Sequence, residues 1–294
     1  MYVAPPFSHA CSAFGVALFT WTWLRVRERW TVRGAFALGA AGALMAMIRE
    51  QDVFFALGPA LDFGLTQVDV AWNAAHARRV LAAAAAGCAG FLVTFTPQAA
   101  SYIVVNGHLG PHASVGHKMN WASPHALQVL FSPEHGFFVW TPLALIAIAG
   151  ICFCFLPPDH VASAFRRKSM AASLLLMVAL QVYVGGSVES WTVAGAFGQR
   201  RFIALTTALI LGYAALEARL RSAAARRALA AVAILFVYWN LALTAEFAVG
   251  LMDRQRLEPA KNAYDAFFTL PRMAPGLVYR YLFDRASFYR GPAS

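Results

Sequence analysis

The chain has 294 residues, of which 60% are hydrophobic and only 13% carry a charged side chain. A soluble domain usually has about a quarter of charged residues, so this deficit excludes an ordinary soluble protein and predicts an integral membrane protein. The formal net charge is +10, but the basic residues form short clusters between apolar runs. That pattern is typical of cytoplasmic membrane loops and argues against a nucleic-acid partner.

Long apolar runs recur along the chain and predict an all-α fold, a polytopic bundle of about eight membrane helices, two of them short. The second and third runs are shorter than the roughly 20 residues that a straight span needs. They fit either two short helices or one broken helix. In chain order, the runs cover residues 10–24, 34–48, 53–65, 80–105, 137–156, 169–184, 202–217 and 228–250.

The positions of the basic clusters favour the two short helices. Thirteen of the 24 lysines and arginines lie at residues 25–33, 76–79, 166–168 and 219–227, and basic loops tend to face the cytoplasm. An even number of passes must therefore separate the first two clusters. We predict a helical bundle over residues 1–250 and an external tail over residues 251–294, whose aromatic side chains are typical of helices at a membrane surface.

This topology places the other polar residues on the outer face, in the loops at residues 49–52, 106–136 and 187–201. The second loop is the longest polar interruption before the tail, and it holds five of the eight histidines. Loops positioned by a rigid scaffold often carry binding or catalytic residues. The outer face is therefore the predicted working face.

A turn at the head of a helix is predicted in the long loop, because Pro133 and Gly136 bracket Glu134 and His135. Aromatic residues that follow, including Trp140, are typical of an interfacial belt at the entry to a bilayer. Carboxylates of the outer loops are candidates for general acids or bases, although a solvated or salt-bridged role also fits each one. These carboxylates are Glu50, Asp52, Glu134 and Glu189.

Arg200 and Arg201 stand side by side between an outer loop and an apolar run. Their guanidinium groups match the oxygens of a phosphate or pyrophosphate, but arginines at a helix end also anchor that helix at lipid headgroups. Trp191 likewise fits either a belt position or a platform that stacks on a sugar.

His108, His112 and His117 have a spacing that a metal ion could use. Glycines and a proline lie between them and disfavour a regular helix that would present all three together, whereas a metal site needs fixed geometry. The sequence therefore predicts no cofactor, and a divalent metal is the alternative that this spacing does not support.

Four segments occur in an order that resembles one family. They are PFSHACS at residues 6–12, REQ at residues 49–51 after a helix rich in glycine and alanine, LFSPEHGFFVWTP at residues 130–142, and GAFGQRRF at residues 195–202. Together they resemble the later two-thirds of bacterial multi-spanning glycosyltransferases of the GT-C type, the mannosyltransferase-like and dolichyl-phosphate-mannose-transferase-like membrane proteins. The third segment is the most specific of the four.

The resemblance implies a transferase of the bacterial inner membrane. Such an enzyme takes a sugar from a polyprenyl-phosphate carrier and passes it to a glycan, lipid or protein acceptor on the outer face. The resemblance also implies catalytic roles for Glu134 and His135. Contacts with the donor or its lipid phosphate are expected from His9, Arg49, Gln51, Lys118, Glu189, Trp191, Arg200 and Arg201.

Enzymes of this family carry their main catalytic carboxylate just after the first membrane helix. Here the first helix is followed by the basic stretch at residues 25–33, so the first helices of the family and that carboxylate are expected to be missing from this sequence. Two other functions fit the chain: a structural or assembly subunit without chemistry, and a transporter. Transport paths usually have charged residues at mid-depth, and the apolar runs nearly lack them.

Overall fold

The computed structural model describes residues 9–68, 73–156 and 164–288. The start of the PFSHACS segment, at residues 6–8, and the end of the predicted tail, at residues 289–294, lie outside these ranges. In the described residues the fold is all-α, without a β-strand, and its helices are α1 (His9–Val26), α2 (Val32–Ile48), α3 (Leu57–Val68), α4 (Ala74–Asn106), α5 (Ala113–Gly116), α6 (Ala126–Phe131), α7 (Phe137–Trp140), α8 (Leu143–Phe153), α9 (Ala164–Ser187), α10 (Thr206–Arg219), α11 (Ala223–Val249), α12 (Pro259–Tyr264) and α13 (Leu270–Phe283).

Four helical segments of the described chain are long and apolar enough to cross a membrane. They are Ala74–Asn106, Phe165–Ser187, Arg200–Arg219 and Ala223–Val249. The predicted all-α fold class is confirmed, and the four apolar helices are compatible with a membrane protein. Eight helices of that length are not found in the part of the chain that the structure describes, because the other apolar runs there form shorter or interrupted helices.

Three apolar runs that were expected as single helices are interrupted. The run at residues 202–217 begins inside the 3₁₀ helix Arg200–Leu205 and continues as α10. The run at residues 137–156 divides into α7 and α8 at Thr141, whose φ of −131° and ψ of 72° are not helical. Pro142 follows, and a proline disfavours helical backbone at the residue before it. The run at residues 53–65 begins inside a 3₁₀ helix, Glu50–Ala56, that leads into α3.

Glycines bring α2 and α4 into backbone contact. A Cβ atom on Gly39 would lie 1.9 Å from the carbonyl oxygen of Gly87, and one on Gly90 would lie 2.1 Å from that of Phe36. Small residues permit such close approach between helices in apolar surroundings. The end of α2, and with it Arg49, is therefore held against α4.

The three polar loops lie together at one end of the bundle, which we call the loop end. An isolated β-bridge between Met119 and Val188 joins the long loop to the loop at residues 187–201. The hydroxyl of Tyr102, near the end of α4, donates a hydrogen bond to the carboxylate of Glu50. The structure thus brings together the segments that the sequence places on one face.

Basic segments meet at the opposite end, which we call the basic end. Arg27 contacts both carboxylate oxygens of Asp62 at 2.9 Å and donates to the carbonyl of Arg166 at 2.6 Å. The indole N–H of Trp23 donates to Asp62 at 2.9 Å. Both Asp62 and Glu246 of α11 are fully buried, so these two charged residues of the apolar runs lie inside the protein.

Trp140 lies in the interior of the protein. It is fully buried in one apolar cluster with Leu243, Met252 and Leu257, so the expected interfacial position of this tryptophan is wrong. The backbone N–H of Leu257 donates to the carbonyl of Pro133 at 2.9 Å. Residues beyond position 250 therefore pack on the turn that precedes α7.

The rest of the described tail presents aromatic side chains on its surface. A π-helical turn, Asp265–Thr269, joins α12 to α13. The exposed aromatic residues of this region are Tyr264, Phe267, Phe268, Tyr279, Tyr281 and Phe283. Such a surface suits helices that lie on a membrane, and that position stays a prediction.

Candidate functional site

Three arginines and a histidine meet at the loop end, and we call Arg49, Arg200, Arg201 and His9 the arginine cluster. His9 Nδ1 lies 3.4 Å from Arg49 Nη1. Burial, and after it the charges of Arg49, Arg200 and Arg201, together lower the pKa of His9 to about 4. The His9 ring is therefore neutral at neutral pH, and the positive charge of the cluster belongs to the arginines.

Three different segments supply the cluster. His9 is the first residue of α1, and Arg49 follows the last residue of α2 in an extended conformation, with φ −146° and ψ 114°. Arg200 and Arg201 open the 3₁₀ helix Arg200–Leu205, which packs on α1. Because each segment is held by the bundle, the cluster is fixed without requiring any regular spacing along the sequence.

The loop before Arg200 has an unusual backbone. Gly195 and Gly198 adopt φ values of +71° and +52°, and the β-branched Val193 adopts +53°. Left-handed backbone is readily adopted by glycine and uncommon for a β-branched residue. Within this loop, Arg201 donates to the carbonyl of Ser190 at 2.9 Å and to its hydroxyl at 3.2 Å. These contacts hold the guanidinium group of Arg201 at the loop end.

Asp52 is a buried carboxylate beside the cluster. Its Oδ2 accepts a hydrogen bond of 2.5 Å from Ser12, and its Oδ1 is buried without a hydrogen-bond partner among the described residues. Burial raises the pKa of Asp52, whereas the Ser12 hydrogen bond and the charge of Arg49 lower it less. Burial has the largest effect on the pKa of Arg49 and lowers it, whereas the charge of Asp52 raises it.

A cavity of about 490 Å³ adjoins the cluster through Arg49. Its polar wall is formed by Arg49, Glu50 and Gln51, and its aromatic wall includes Trp121. The side-chain nitrogen of Gln51 is buried without a hydrogen-bond partner in the described part of the chain. Polar groups beside an exposed aromatic ring suit a ligand with both hydroxyl groups and apolar faces.

The other residues predicted to contact the donor, Lys118, Glu189 and Trp191, have contacts outside the arginine cluster. Lys118 and Glu189 are exposed, and the Glu189 N–H donates to the Lys118 carbonyl at 2.9 Å. Trp191 stacks on His125, with ring centroids 5.7 Å apart, and packs against the main apolar core. The structure thus accounts for Trp191 by packing, and it leaves Lys118 and Glu189 on the rim of the loop end.

Glu134 and His135 occupy the turn that the sequence predicts. A Cβ atom on Gly136 would lie 2.4 Å from the carbonyl of Ser132, so the turn has no room for a side chain there. His135 is fully buried, stacks on Trp140 with centroids 5.2 Å apart, and donates from Nε2 to the carbonyl of Ala196 at 2.9 Å. Burial is the main cause that lowers the pKa of His135.

Glu134 is exposed, whereas Gln199 donates to the carbonyl of His135 at 3.3 Å and to that of Trp191 at 3.1 Å. The His135 ring and the Gln199 amide thus tie the turn to the loop that ends in Arg200. These contacts indicate a positioning role for His135, which acts on the arginine cluster through the loop that ends in Arg200.

The long loop does not assemble a metal centre from its histidines. Within residues 9–68, 73–156 and 164–288, no group of three or more His, Cys, Asp and Glu side chains has a geometry that could hold a metal ion. His108, His112 and His117 are exposed.

Comparison of the chain with protein-family models, curated proteins and solved structures finds no match. The resemblance to GT-C enzymes therefore stays a prediction, and function has to be argued from the site itself.

The structure adds residues that the sequence did not single out. Ser12 and Trp121 enter the site only through long-range contacts, and Asp52 was recognised as a candidate acid or base but not as a neighbour of the arginines. The spacing of these residues along the chain carries no signal of their proximity. The one local feature that could have indicated Trp121 is its place as an isolated tryptophan in a polar loop.

Proposed function

We propose that this chain is a multi-pass membrane glycosyltransferase of the GT-C type, or the donor-binding part of one, that uses a polyprenyl-phosphate sugar. The observation that carries the proposal is the arginine cluster, which gathers three guanidinium groups beside a cavity at one end of an apolar bundle. Arginine forks match phosphate oxygens. A lipid carrier needs this combination, because its chain lies in the bilayer while its phosphate stays at headgroup depth.

In this function, Arg49, Arg200 and Arg201 hold the phosphate and the neutral His9 adds a further polar contact. The sugar occupies the 490 Å³ cavity, where Gln51 supplies a hydrogen-bond donor and Trp121 a stacking surface. Lys118 and Glu189 line the entrance for a glycan, lipid or protein acceptor. No residue of the described site calls for a metal or another cofactor.

Glu50 is the carboxylate that the geometry favours as a general acid or base, because it lines the cavity and hydrogen-bonds to Tyr102. Glu134 keeps its predicted catalytic role only if the acceptor reaches the exposed turn. His135 acts by positioning that turn. The catalytic carboxylate that GT-C enzymes carry after their first membrane helix, if supplied by a preceding segment, would act together with these residues and would not replace the arginines.

Eight membrane passes in the bacterial inner membrane complete the proposal, with the loop end outside. Besides the four long helices, α1, α2, the unit formed by Glu50–Ala56 and α3, and the α7–α8 pair run between the same two ends. Thirteen of 24 basic side chains lie in the segments of the basic end, in keeping with a cytoplasmic position.

The test compares two ligands that differ only in the phosphate. Purified protein in a zwitterionic detergent is titrated with a short-chain polyprenyl phosphate and with the polyprenol of equal length. We expect at least tenfold tighter binding of the phosphate, and transfer of a labelled sugar from the carrier that is lost in Glu50→Gln. Equal binding of the two lipids would leave the chain as a structural or assembly subunit, the alternative that needs no donor.

A further inference from the structure

Two cavities lie at the basic end, away from the arginine cluster. A cavity of about 350 Å³ between α1, α2, α3 and α4 is almost entirely apolar. Another cavity, of about 320 Å³, lies at the surface of the same end and is lined by charged residues. Both are bordered by Trp30, Phe63 and Ala83. The two cavities are therefore neighbours that share one wall.

Arginines dominate the outer of these two cavities. Its described lining includes the four arginines Arg27, Arg29, Arg79 and Arg166 and one carboxylate, Glu28. Arg27 is paired with the buried Asp62 at 2.9 Å, and Glu28 lies 3.7 Å from Arg166. The four arginines and the two carboxylates together carry a net charge of +2, counted over the described residues. This charge favours an anion at the opening of the outer cavity, which we call the mouth.

The shared wall carries a buried donor. Trp30 Nε1 is inaccessible to solvent and has no hydrogen-bond partner among the described residues. Its ring packs edge-on against Phe63, with centroids 4.8 Å apart, which fixes its orientation. A buried polar group without a partner is costly, so an acceptor from a ligand would be favourable at this point.

We propose that the two cavities form one site for an anionic glycerophospholipid. An acyl chain fills the apolar cavity, an ester carbonyl accepts from Trp30, and the phosphate headgroup meets Arg29 and Arg79 at the mouth. From the apolar cavity to the mouth, the site presents first apolar side chains, then the Trp30 donor and then the arginines. An anionic glycerophospholipid has its acyl chain, ester and phosphate in the same order. Free phosphate would use the mouth alone. This site does not depend on the glycosyltransferase function or on which end faces the cytoplasm.

The test is native mass spectrometry of the detergent-solubilised full chain with two lipids of equal acyl chains, phosphatidylglycerol and phosphatidylcholine. We expect preferential retention of the anionic lipid. Each arginine near a membrane surface contributes about 1 kcal/mol toward anionic lipid, so Arg29→Gln with Arg79→Gln should lower its apparent affinity by roughly 25-fold. Both arginines are exposed, so the variant is expected to fold.

Two matched controls separate this site from general charge and surface effects. Arg226→Gln with Arg227→Gln removes two exposed arginines of the same end outside the cavity and should leave the lipid preference unchanged. Ala84→Phe fills the apolar cavity and should reduce retention of both lipids, whereas Ala85→Phe on the same helix should not.

An excess of inorganic phosphate should fail to displace the lipid. Equal retention of the two lipids by the wild type, an equal loss in both arginine pairs, or displacement by free phosphate would each overturn the proposal. None of these outcomes bears on binding of a polyprenyl phosphate at the loop end.

Discussion

The Ser12 hydroxyl donates a hydrogen bond of 2.5 Å to Asp52, which joins the first helix of the bundle to the segment that follows the second. Asp52 also interacts with Arg49 through its charge. The Ser12–Asp52 contact therefore joins α1 to the segment that holds Arg49, the arginine that belongs to both the cluster and the cavity.

Asp52 should make the stability of the protein depend on pH. Because burial raises its pKa in the folded state above the ordinary value of 3.8, the folded protein binds the proton more tightly than the unfolded chain. Stability is then highest below the unfolded pKa and is lost as pH rises toward the folded pKa. Asp52→Asn keeps an acceptor for Ser12 and should remove this loss.

Thermal unfolding in detergent from pH 4 to pH 7 checks this prediction. The melting temperature of Asp52→Asn should gain on that of the wild type as pH rises. Glu134→Gln, which changes an exposed carboxylate, is the control and should follow the wild type. A constant difference between Asp52→Asn and wild type over the whole range would show that Asp52 has an ordinary pKa.

The Arg27–Asp62 pair should stabilise the basic end strongly. The side chains of Arg27 and Asp62 are 10% and 0% exposed, and removal of one partner from a buried pair costs about 3–5 kcal/mol. Asp62→Ala should lower the unfolding free energy by that amount. Glu28→Ala is the control, because the Glu28–Arg166 pair is 73% and 57% exposed. Comparable losses in both variants would contradict the importance of burial here.

Topology can be tested by labelling single cysteines in a background without Cys11, Cys88, Cys152 and Cys154, three of which are exposed. Ala113→Cys lies at the loop end and Ala224→Cys at the basic end, and both positions are exposed. An impermeant thiol reagent should label the first in intact cells and the second only after permeabilisation. Labelling of Ala224→Cys in intact cells would refute the assigned orientation.

Local pattern predicted the helices well and their continuity less well. The long apolar runs became α4, α9 and α11, and α4 stays helical across Pro97. The run at residues 137–156 was misjudged because the backbone restriction that Pro142 places on Thr141 outweighs the surrounding hydrophobicity. Trp140 was misjudged for a different reason, since composition cannot distinguish a tryptophan at an interface from one buried by distant residues.

The candidate site was only partly predictable. Arg200 and Arg201 were recognisable because an adjacent pair at a loop–helix boundary is a local feature. Their approach to His9 and Arg49 depends on packing between segments about 150 to 190 residues apart. Contacts over such separations cannot be predicted from residue spacing in a single sequence. The same limit explains why Ser12 and Trp121 were missed.

Trp121 should contribute to recognition of the sugar and not of the lipid phosphate. It borders the loop-end cavity, and the residue is 43% exposed. Aromatic stacking is worth about 0.5–1.5 kcal/mol, so Trp121→Ala should weaken binding of the sugar-bearing carrier by roughly 2- to 12-fold. Trp21→Ala, at an exposed position of α1, is the control. If Trp121→Ala weakened the sugar-free carrier equally, Trp121 would have no role specific to the sugar.

The arginine cluster itself is tested most directly by titrating short-chain polyprenyl phosphate into variants of Arg200 and Arg201. A charge-assisted hydrogen bond is worth about 1.5–3 kcal/mol, so each alanine variant should bind roughly 10- to 150-fold more weakly. Arg→Lys keeps the charge but loses the fork, so it should recover only part of the affinity. Arg226→Ala at the basic end should bind as the wild type does. Unchanged affinity in all four lysine and alanine variants, with the protein still folded, would contradict the phosphate role and leave both arginines as anchors of the helix.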